Sequence, residues 1–394
     1  MKKQSSPTLC RRVRARFQRH GAMALFALVP ALAHAEANAA ATPGAPLKKI
    51  TIAHVGSTCD STVFIAKSQG FFQEEGLDAE LVLGDWNFIK EGLAFGRITA
   101  TQGLVMNYLK PIEQGLDARF TAGIHRGCLH ILAPKNSPIK TGADLKGKRI
   151  GVPGLGSSPW VFAARVASDN GCDIRRDVEW RPFPVAELKL ALDKREVDAI
   201  ALSDPIAEIL LSSGEVKSIV NQGTDAPYKD EYCCVMVVNG KLSREDPATA
   251  AAITRAVLKA AAWIEANPRK TAELAVAAKH IAGSVEINAR VLSKLDYAPS
   301  VEGGREATRT AATALRRSGV IAKNVDIEKL VARTFTALPG LDDATVRRYT
   351  PPKLDKPAGT ATGAGAKTSP GELGEAHSCC DATAQTQAPA PDAT

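Results

Sequence analysis

The stretch that decides the fold is ITIAHVGS at residues 50–57, an apolar run that closes on a glycine and a serine. Four of its first six residues are β-branched, and a short run of this kind that ends at a glycine is typical of a strand. Residues 61–70 then follow a helical pattern and end in Gly70, which suits a helix terminus. The segment therefore predicts a strand, a Gly/Ser loop and a helix, the repeating unit of a parallel α/β sheet.

The same unit recurs further along the chain. Residues 63–66 read VFIA after the first Gly/Ser loop, and residues 161–164 read VFAA after a second one, at a spacing of 98 positions. Residues 93–100 and 192–199 also match, at a spacing of 99. Two echoes at nearly one spacing predict a pair of similar lobes rather than a solenoid of many repeats.

The pattern changes along the chain in a way that suggests how the lobes are assembled. Strands and helices alternate up to about residue 240, and the chain is helical from there to about residue 338. We predict a first lobe over residues 49–135, a second over 136–225, and a return over 226–340 whose helices pack on the first lobe. The chain would cross between lobes near residues 134–138 and again near 221–230. The predicted fold class is α/β.

Neither end of the chain belongs to the predicted lobes. Residues 1–35 have a basic start, an apolar run and a small-x-small ending at Ala35, which is the pattern of a secretory signal. The apolar run is too short to span a bilayer, so we predict cleavage after Ala35 and a periplasmic protein. Residues 341–394 are poor in large apolar residues and are predicted to be disordered. This tail contains His377, Cys379 and Cys380.

The net charge gives no reason to expect a nucleic-acid partner. The chain has 50 Lys and Arg against 42 Asp and Glu, but seven of the bases lie in the signal, which leaves 43 against 42. The sequence also lacks a phosphate-binding G-x-x-x-x-G-K-[ST] loop, a G-x-S-x-G elbow and an H-E-x-x-H helix. We therefore expect a protein that binds no nucleic acid, has no cofactor and is not an enzyme.

The two Gly/Ser loops are the first candidates for ligand binding. In open α/β sheets, ligands bind beyond the carboxyl ends of the strands, where loops lead into helix N-termini. Backbone N–H groups there favour an anion, although a serine at such a place is also an ordinary helix cap. Other strand ends and helix starts supply further candidates. The residues predicted on these grounds are Ser57, Thr58, Trp86, Asn87, Gln102, Gly103, Gly156, Ser157, Ser158 and Asp204.

Several runs of residues resemble one family of secreted receptors. They are FFQEEGL at 71–77, QGLD at 114–117, SPIK at 137–140 with DLKGK at 144–148, VDA at 197–199 with Asp204-Pro205, and Trp263 with Asn267-Pro268. On these residues the chain resembles the periplasmic binding proteins of ABC importers for nitrate, sulfonates and taurine. The resemblance extends to relatives that bind the pyrimidine precursor of thiamine.

The resemblance implies a two-lobed type II periplasmic-binding-protein fold with two hinge segments and a small ligand in the cleft. It also implies a membrane permease and an ATPase as partners, and it places Ser57, Thr58, Ser157, Ser158 and Asp204 at ligand contacts. The expected function is that of a receptor for a small anionic organic solute of the sulfonate, nitrate or taurine type. An alternative is a pyrimidine-synthesising enzyme on the same scaffold, which needs a reactive His or Lys in the cleft.

Cysteines set this sequence apart from the family that it resembles. Seven remain after the signal, an odd number, so at least one thiol stays unpaired within a monomer. Cys59 lies in the first Gly/Ser loop, and Cys128 begins the strand that enters one crossing. Cys233 and Cys234 lie on the strand that returns from the other. All four are predicted as ligand-binding residues and are candidate metal ligands.

Two interpretations of these cysteines stay open. One is a disulfide from Cys128 to Cys233 or Cys234, with the remaining thiols buried. The other is a thiol-lined cleft for a soft metal or metalloid species, since thiolates select such ions. Adjacent residues of a strand point to opposite faces, so only one of Cys233 and Cys234 is expected to face the cleft.

Overall fold

The computed structural model describes residues 46–349. The predicted secretory signal and the tail residues His377, Cys379 and Cys380 lie outside this range. Within it, the chain forms two five-stranded sheets. The strands are β1 (Lys48–His54), β2 (Leu77–Leu83), β3 (Ala100–Leu104), β4 (Ala118–Arg126), β5 (Leu129–Pro134), β6 (Lys148–Val152), β7 (Val178–Pro182), β8 (Ala199–Ser203), β9 (Val216–Asn221) and β10 (Tyr232–Asn239).

The two sheets share one plan. The first has the order β2-β1-β3-β10-β4 and the second the order β7-β6-β8-β5-β9. β1 is parallel to β2 and β3, as β6 is to β7 and β8. β10 and β5 are antiparallel to both of their neighbours. In each sheet this antiparallel strand is the one that arrives through a crossing, so the two lobes are joined by two segments.

The sequence echo marks equivalent places in the two sheets. β3 and β8 begin 99 residues apart, at Ala100 and Ala199. The turn before each strand contains a residue with positive φ, namely Gly96 at 71° and Arg195 at 58°. Glycine adopts this conformation freely, whereas arginine adopts it at a cost. The prediction of a two-lobed α/β fold is confirmed.

The first crossing lies earlier in the chain than the sequence suggested. Residues 129–134 form β5, which pairs with β8 and β9 and so belongs to the second sheet. The chain therefore crosses at Gly127 and Cys128, directly after β4, and the boundary predicted at residues 134–138 is wrong. A continuous apolar strand shows no sign of which sheet it joins, which explains the error. The second crossing runs from β9 to β10, as expected.

Helices cover the sheets, and most of those after β10 pack on the first lobe. Asp246 caps one of them by accepting a hydrogen bond from the Thr249 N–H. The helices are α1 (Ser61–Ser68), α2 (Phe71–Glu74), α3 (Trp86–Ala94), α4 (Val105–Glu113), α5 (Ser158–Asp169), α6 (Leu188–Asp193), α7 (Ile206–Ser213), α8 (Gly240–Glu245), α9 (Pro247–Ala266), α10 (Pro268–Ala277), α11 (Val285–Leu292), α12 (Val301–Ser318), α13 (Ile327–Thr334) and α14 (Asp343–Val346). α9 lies against α1 and α2, and α12 and α13 lie against β4.

The last of these helices corrects the predicted start of the tail. α14 lies beyond residue 341, where disorder was expected, and it packs on α9 through buried Val346. Asp342 caps it by accepting from the Thr345 N–H. A short helix with one cap and one buried apolar residue is stable here because it packs on α9, which is already held in the first lobe. In the described part of the chain, no helix has the length and apolar character needed to cross a bilayer.

Candidate functional site

A cavity of about 530 Å³, here called the interlobe cavity, lies between the two sheets. Its walls come from the loops after β1, β2 and β3 in the first lobe and after β6 and β8 in the second. These are the carboxyl ends of parallel strands, where ligands bind in open α/β sheets. Ten of the fourteen predicted ligand-binding residues line it, namely Ser57, Cys59, Trp86, Gln102, Gly103, Cys128, Ser157, Ser158, Asp204 and Cys234.

The other four predicted residues lie close by but outside the lining. Asn87 and Gly156 line a neighbouring groove of about 1150 Å³. Thr58 is fully buried, and its hydroxyl donates to Asn288 Oδ1 at 3.0 Å. Cys233 is also fully buried, behind the cavity wall.

The first Gly/Ser loop is held by a carboxylate that the sequence analysis did not select. Asp60 Oδ2 accepts from the Ser57 N–H at 2.9 Å, the Ser57 hydroxyl at 2.9 Å and the Val55 N–H at 3.2 Å. Burial raises the pKa of Asp60 to about 6, although the donors from Ser57 act in the opposite direction. The S-x-x-D spacing from Ser57 to Asp60 is a capping-box pattern and was a usable signal.

The second Gly/Ser loop leaves its hydroxyl unused. Ser157 is the N-cap residue of α5, but its side chain accepts no capping hydrogen bond. Its Oγ is buried and has no hydrogen-bond partner among the described residues. A buried hydroxyl without a partner costs free energy, so the Ser157 hydroxyl does not stabilise the helix and is free to bond another group.

This observation gives a first testable prediction. Ser157→Ala should leave the free energy of unfolding within about 0.5 kcal/mol of wild type, because no capping bond is lost. Ser284→Ala is the matched control, since the Ser284 hydroxyl does cap α11 by accepting from the Ile287 N–H at 3.2 Å. We expect the control to lose about 1 kcal/mol in urea denaturation. A comparable loss in Ser157→Ala would show that its hydroxyl serves the helix after all.

Asp204 connects the two lobes rather than capping α7. Its backbone N–H donates to the Cys128 carbonyl at 3.1 Å, and its own carbonyl accepts from the Thr58 N–H at 3.4 Å. Its Oδ2 lies 3.2 Å from His130 Nε2. Oδ1 is buried and has no partner among the described residues. Asp204 therefore places a carboxylate oxygen at the junction of the first loop and the first crossing.

Four cysteines converge beside this junction and form what we call the thiol cluster: Cys59, Cys128, Cys233 and Cys234. All four are buried, and all are free thiols. The Cys128 and Cys233 Sγ atoms lie 3.0 Å apart, and those of Cys233 and Cys234 lie 3.8 Å apart. The disulfide interpretation thus has its two partners side by side, but the structure contains no bond between them.

A β-bulge brings the adjacent cysteines together. The pairing of β10 with β4 shifts between Tyr232 and Cys234, and Cys233 is the extra residue. A bulge bends the strand and disrupts its regular pairing at this point. Cys234 lines the cavity and Cys233 does not, as the alternation argument expected, yet their sulfurs remain neighbours.

Cys128, at the first crossing, has a strained backbone conformation. Cys128 has a φ of 131°, a region that residues other than glycine rarely occupy. Such conformations persist where the surrounding structure enforces them, and they concentrate at functional sites. Gly127 before it has a φ of 74°, so the chain makes its crossing in two unusual steps.

An imidazole completes the cluster. A ring nitrogen of His125 lies within 4.8 Å of the Cys59 and Cys234 sulfurs, and these two sulfurs lie within 4.8 Å of each other. His125 is fully buried, and its Nδ1 lies 3.2 Å from the Arg126 carbonyl. In the described part of the chain its Nε2 has no hydrogen-bond partner. An Nδ1–H that donates to a backbone carbonyl leaves Nε2 as a free lone pair, the usual preparation of a metal-binding histidine.

The thiols share charge unequally. Hydrogen bonds from Cys128, Cys233 and Cys59 hold the pKa of Cys234 well below its ordinary value. Burial raises the pKa of the Cys233 thiol, and hydrogen bonding to its neighbours raises that of Cys128. The arrangement favours one thiolate, on Cys234, surrounded by thiols that donate to it.

The charge of the interlobe cavity is negative. Its lining contains the carboxyl groups of Asp60, Asp85 and Asp204 and, within residues 46–349, no lysine, arginine or histidine. The apolar part of the wall includes Trp86, whose ring meets the edge of Tyr108 with centroids 5.0 Å apart. An interlobe cavity with this charge suits a cationic or soft group better than a free anion.

Two sheets of this topology, joined by two crossings around a cavity, define the type II periplasmic-binding-protein fold. The sequence profile of the family described as NMT1/THI5 like matches residues 60–271, and the chain belongs to this family. The resemblance stated from the sequence is thereby confirmed. A comparison with curated protein sequences found no match.

Solved structures show the same fold. The periplasmic aliphatic sulphonate binding protein SsuA from Escherichia coli is similar at 19% identity over 72% of this chain and 96% of that one, with a TM-score of 0.58. The nitrate-binding protein NrtA from Synechocystis PCC 6803 is similar at 14% identity over 73% and 86%, with a TM-score of 0.63. A zinc-bound ligand-binding component of an ABC-type import system from Staphylococcus aureus reaches 15% over 77% and 99%, with a TM-score of 0.61.

Proposed function

We propose that the protein is the periplasmic receptor of an ABC importer and that its ligand is a soft metal or metalloid species bound by the thiol cluster. The observation that carries the proposal is that three buried thiols line one end of the interlobe cavity, with a fourth thiol and an unpartnered imidazole nitrogen directly behind them. This was the second of the two interpretations of the cysteines. The charge of the cavity now favours it over a free anionic solute.

The chemistry of the donors sets the class of ligand. Thiolate sulfur and imidazole nitrogen suit Cu(I), Zn(II) and similar ions, whereas hard ions such as Mg²⁺ and Ca²⁺ prefer oxygen. Three of the four sulfurs line the cavity, on Cys59, Cys128 and Cys234. A ligand that reaches them would touch the first loop, the first crossing and the returning strand together. Such a ligand would favour the closed arrangement of the lobes.

The size of the cavity leaves room for more than a bare ion. Its volume of about 530 Å³ is in the range of small-molecule pockets. Trp86, Tyr108 and Leu104 make the part of its wall that the first lobe contributes apolar. The cargo therefore includes small organic complexes of a soft ion as well as the ion itself.

Export and delivery follow from the family and its neighbours. By their descriptions, two of the structural neighbours are periplasmic binding proteins and a third is the ligand-binding component of an ABC-type import system. By analogy this chain would deliver its cargo to a membrane permease driven by an ATPase, and the pattern of residues 1–35 supports export with cleavage after Ala35. The lobes would close about Gly127 and Cys128 and about the segment between β9 and β10.

A second candidate is the anionic solute expected from the resemblance, of sulfonate, nitrate or taurine type. The unused Ser157 hydroxyl at the N-terminus of α5 is the observation that favours it, since a helix N-terminus attracts an anion. The enzyme alternative has weaker support, because it needs a reactive His or Lys in the cleft and the described lining contains neither.

The test is a direct competition between ligand classes. Reduced mature protein should bind Cu(I) under anaerobic conditions in the presence of a competing Cu(I) chelator, whereas taurine and nitrate should give no heat in calorimetry. Small-angle scattering should show a smaller radius of gyration with Cu(I) bound. Binding of taurine or nitrate without Cu(I) binding would overturn the proposal in favour of the second candidate. In that case Ser157→Ala should weaken the anion by roughly ten- to a hundredfold.

A further inference from the structure

The thiol cluster and the neighbouring His125 together form two sets of metal ligands rather than one. The first set is Cys59, His125 and Cys234, whose ligand atoms all lie within 4.8 Å of one another. The second set is Cys128, Cys233 and Cys234, which meet the same condition. Cys234 is the one residue that belongs to both sets.

We propose that the cluster binds two monovalent soft cations at once, with the Cys234 sulfur bridging them. The inference rests on the proposed function and specifies its cargo as a pair of ions of the Cu(I) class. One ion would be held by Cys59, His125 and Cys234, and the other by Cys128, Cys233 and Cys234. Each ion would have three donors, two or three of them sulfur.

The distances suit such a pair. A metal–sulfur bond of about 2.3 Å places two ligands of one ion about 4 Å apart. The Cys233 and Cys234 sulfurs already lie 3.8 Å apart, and those of Cys128 and Cys233 lie 3.0 Å apart. The second set therefore needs only a small opening between Cys128 and Cys233, and the ligand atoms of the first set all lie within 4.8 Å of one another. The bulge at Cys233 allows both Cys233 and Cys234 to act as metal ligands.

The bridging role follows from the position of Cys234. Its sulfur lines the cavity, where it meets Cys59 from the first loop, while Cys233 stands behind it and meets Cys128 from the crossing. The Nε2 atom of His125 is fully buried and unpartnered among the described residues, so the first set has a donor that serves no other group.

Charge balance allows the second ion to enter. When the first ion binds to Cys128, Cys233 and Cys234, the thiols lose their protons to solvent, and three thiolates with one monovalent cation leave a net charge of about −2. The second ion adds one positive charge, and Cys59 loses one proton, while His125 binds as the neutral ring. The net charge of the buried site is unchanged, so the second ion carries no added cost of burying charge.

The experiment counts Cu(I) ions by anaerobic native mass spectrometry at a fixed concentration of competing chelator. It uses the mature chain with Cys379→Ala and Cys380→Ala, which removes the two tail thiols from the count. We expect two ions in this background, one in the added Cys59→Ala variant, one in Cys233→Ala and none in Cys234→Ala. Cys172→Ala is the matched control, a buried free cysteine outside the cluster, and should keep two.

The outcomes separate this inference from the proposed function. A single ion in the background protein, lost or weakened in every cluster variant, would overturn the pair and leave the soft-metal receptor standing. Retention of any ion by Cys234→Ala would overturn the bridge. No Cu(I) in any sample would overturn both proposals. Circular dichroism and thermal unfolding establish that each variant is folded. X-ray absorption should show a metal–metal scattering path that disappears in Cys59→Ala.

Discussion

The double variant Cys128→Ala/Cys234→Ala is expected to bind Cu(I) about 10⁴-fold more weakly than wild type while it keeps its fold. Structural zinc sites with four ligands are worth roughly 10–16 kcal/mol, or about 3 kcal/mol for each ligand. Two lost thiolates therefore correspond to about 6 kcal/mol, which is about four orders of magnitude in Kd. Chelator competition on reduced, anaerobic protein measures this loss.

Alanine is chosen for this variant because it adds no polar group to a buried place. A serine hydroxyl in the thiol cluster would need a hydrogen-bond partner. Without one it would destabilise the fold, and this effect would be mixed with the loss of Cu(I) binding. Cys172→Ala is the control for the loss of a buried thiol elsewhere in the second lobe. If the double variant binds Cu(I) as tightly as wild type, the ion sits elsewhere, and His377, Cys379 and Cys380 become the next residues to replace.

The general plan of the fold could be predicted from local patterns. The strand, Gly/Ser loop and helix beginning at residue 50 recur in the second lobe, and the echo at 99 positions falls on the equivalent strands β3 and β8. These features depend on residues close together in sequence. A periodic pattern and a glycine at a turn are enough to find them.

The exchange of strands between lobes could not be predicted in the same way. β5 and β10 are mainly apolar and almost wholly buried, and each completes the sheet on the far side of a crossing. The residue pattern of a buried strand is the same whether the strand joins the sheet of the preceding strands or the sheet of the other lobe. The predicted first hinge was therefore displaced to residues 134–138, although the crossing lies at Gly127 and Cys128.

The site was predictable in its location but not in its detail. The loop positions of Cys59 and Ser157 pointed to the cavity, because strand ends of this fold meet there. The bulge that joins the sulfurs of Cys233 and Cys234 is a property of the β10–β4 pairing and leaves no signal in either strand alone. His125 was not among the predicted site residues, because its free nitrogen depends on a backbone carbonyl that the fold supplies.

The second large effect concerns a buried ion pair beside the second crossing. Arg165 on α5 is 4% exposed, and its Nη2 donates to Glu231 Oε1 at 2.7 Å while a second bond joins Nη1 to Oε2. Asp169 Oδ2 lies 3.5 Å from its Nε, and the guanidinium carbon lies 5.0 Å from the centre of the Tyr228 ring. Glu231 immediately precedes β10, so this pair fixes the second lobe's helix to the strand that returns to the first lobe.

Glu231→Ala should therefore destabilise the protein by about 3 kcal/mol, because it leaves a buried guanidinium with only Asp169 to compensate its charge. Removing one member of a buried pair costs roughly 3–5 kcal/mol, and the low end applies since Glu231 is partly exposed and one carboxylate remains. Urea denaturation at neutral pH measures the change. Glu179→Ala removes the partner of Arg181 on the surface of β7 and should cost less than about 0.5 kcal/mol. A loss below 1 kcal/mol in Glu231→Ala would mean that solvent reaches Arg165 and that the pair does not fix α5 to the crossing.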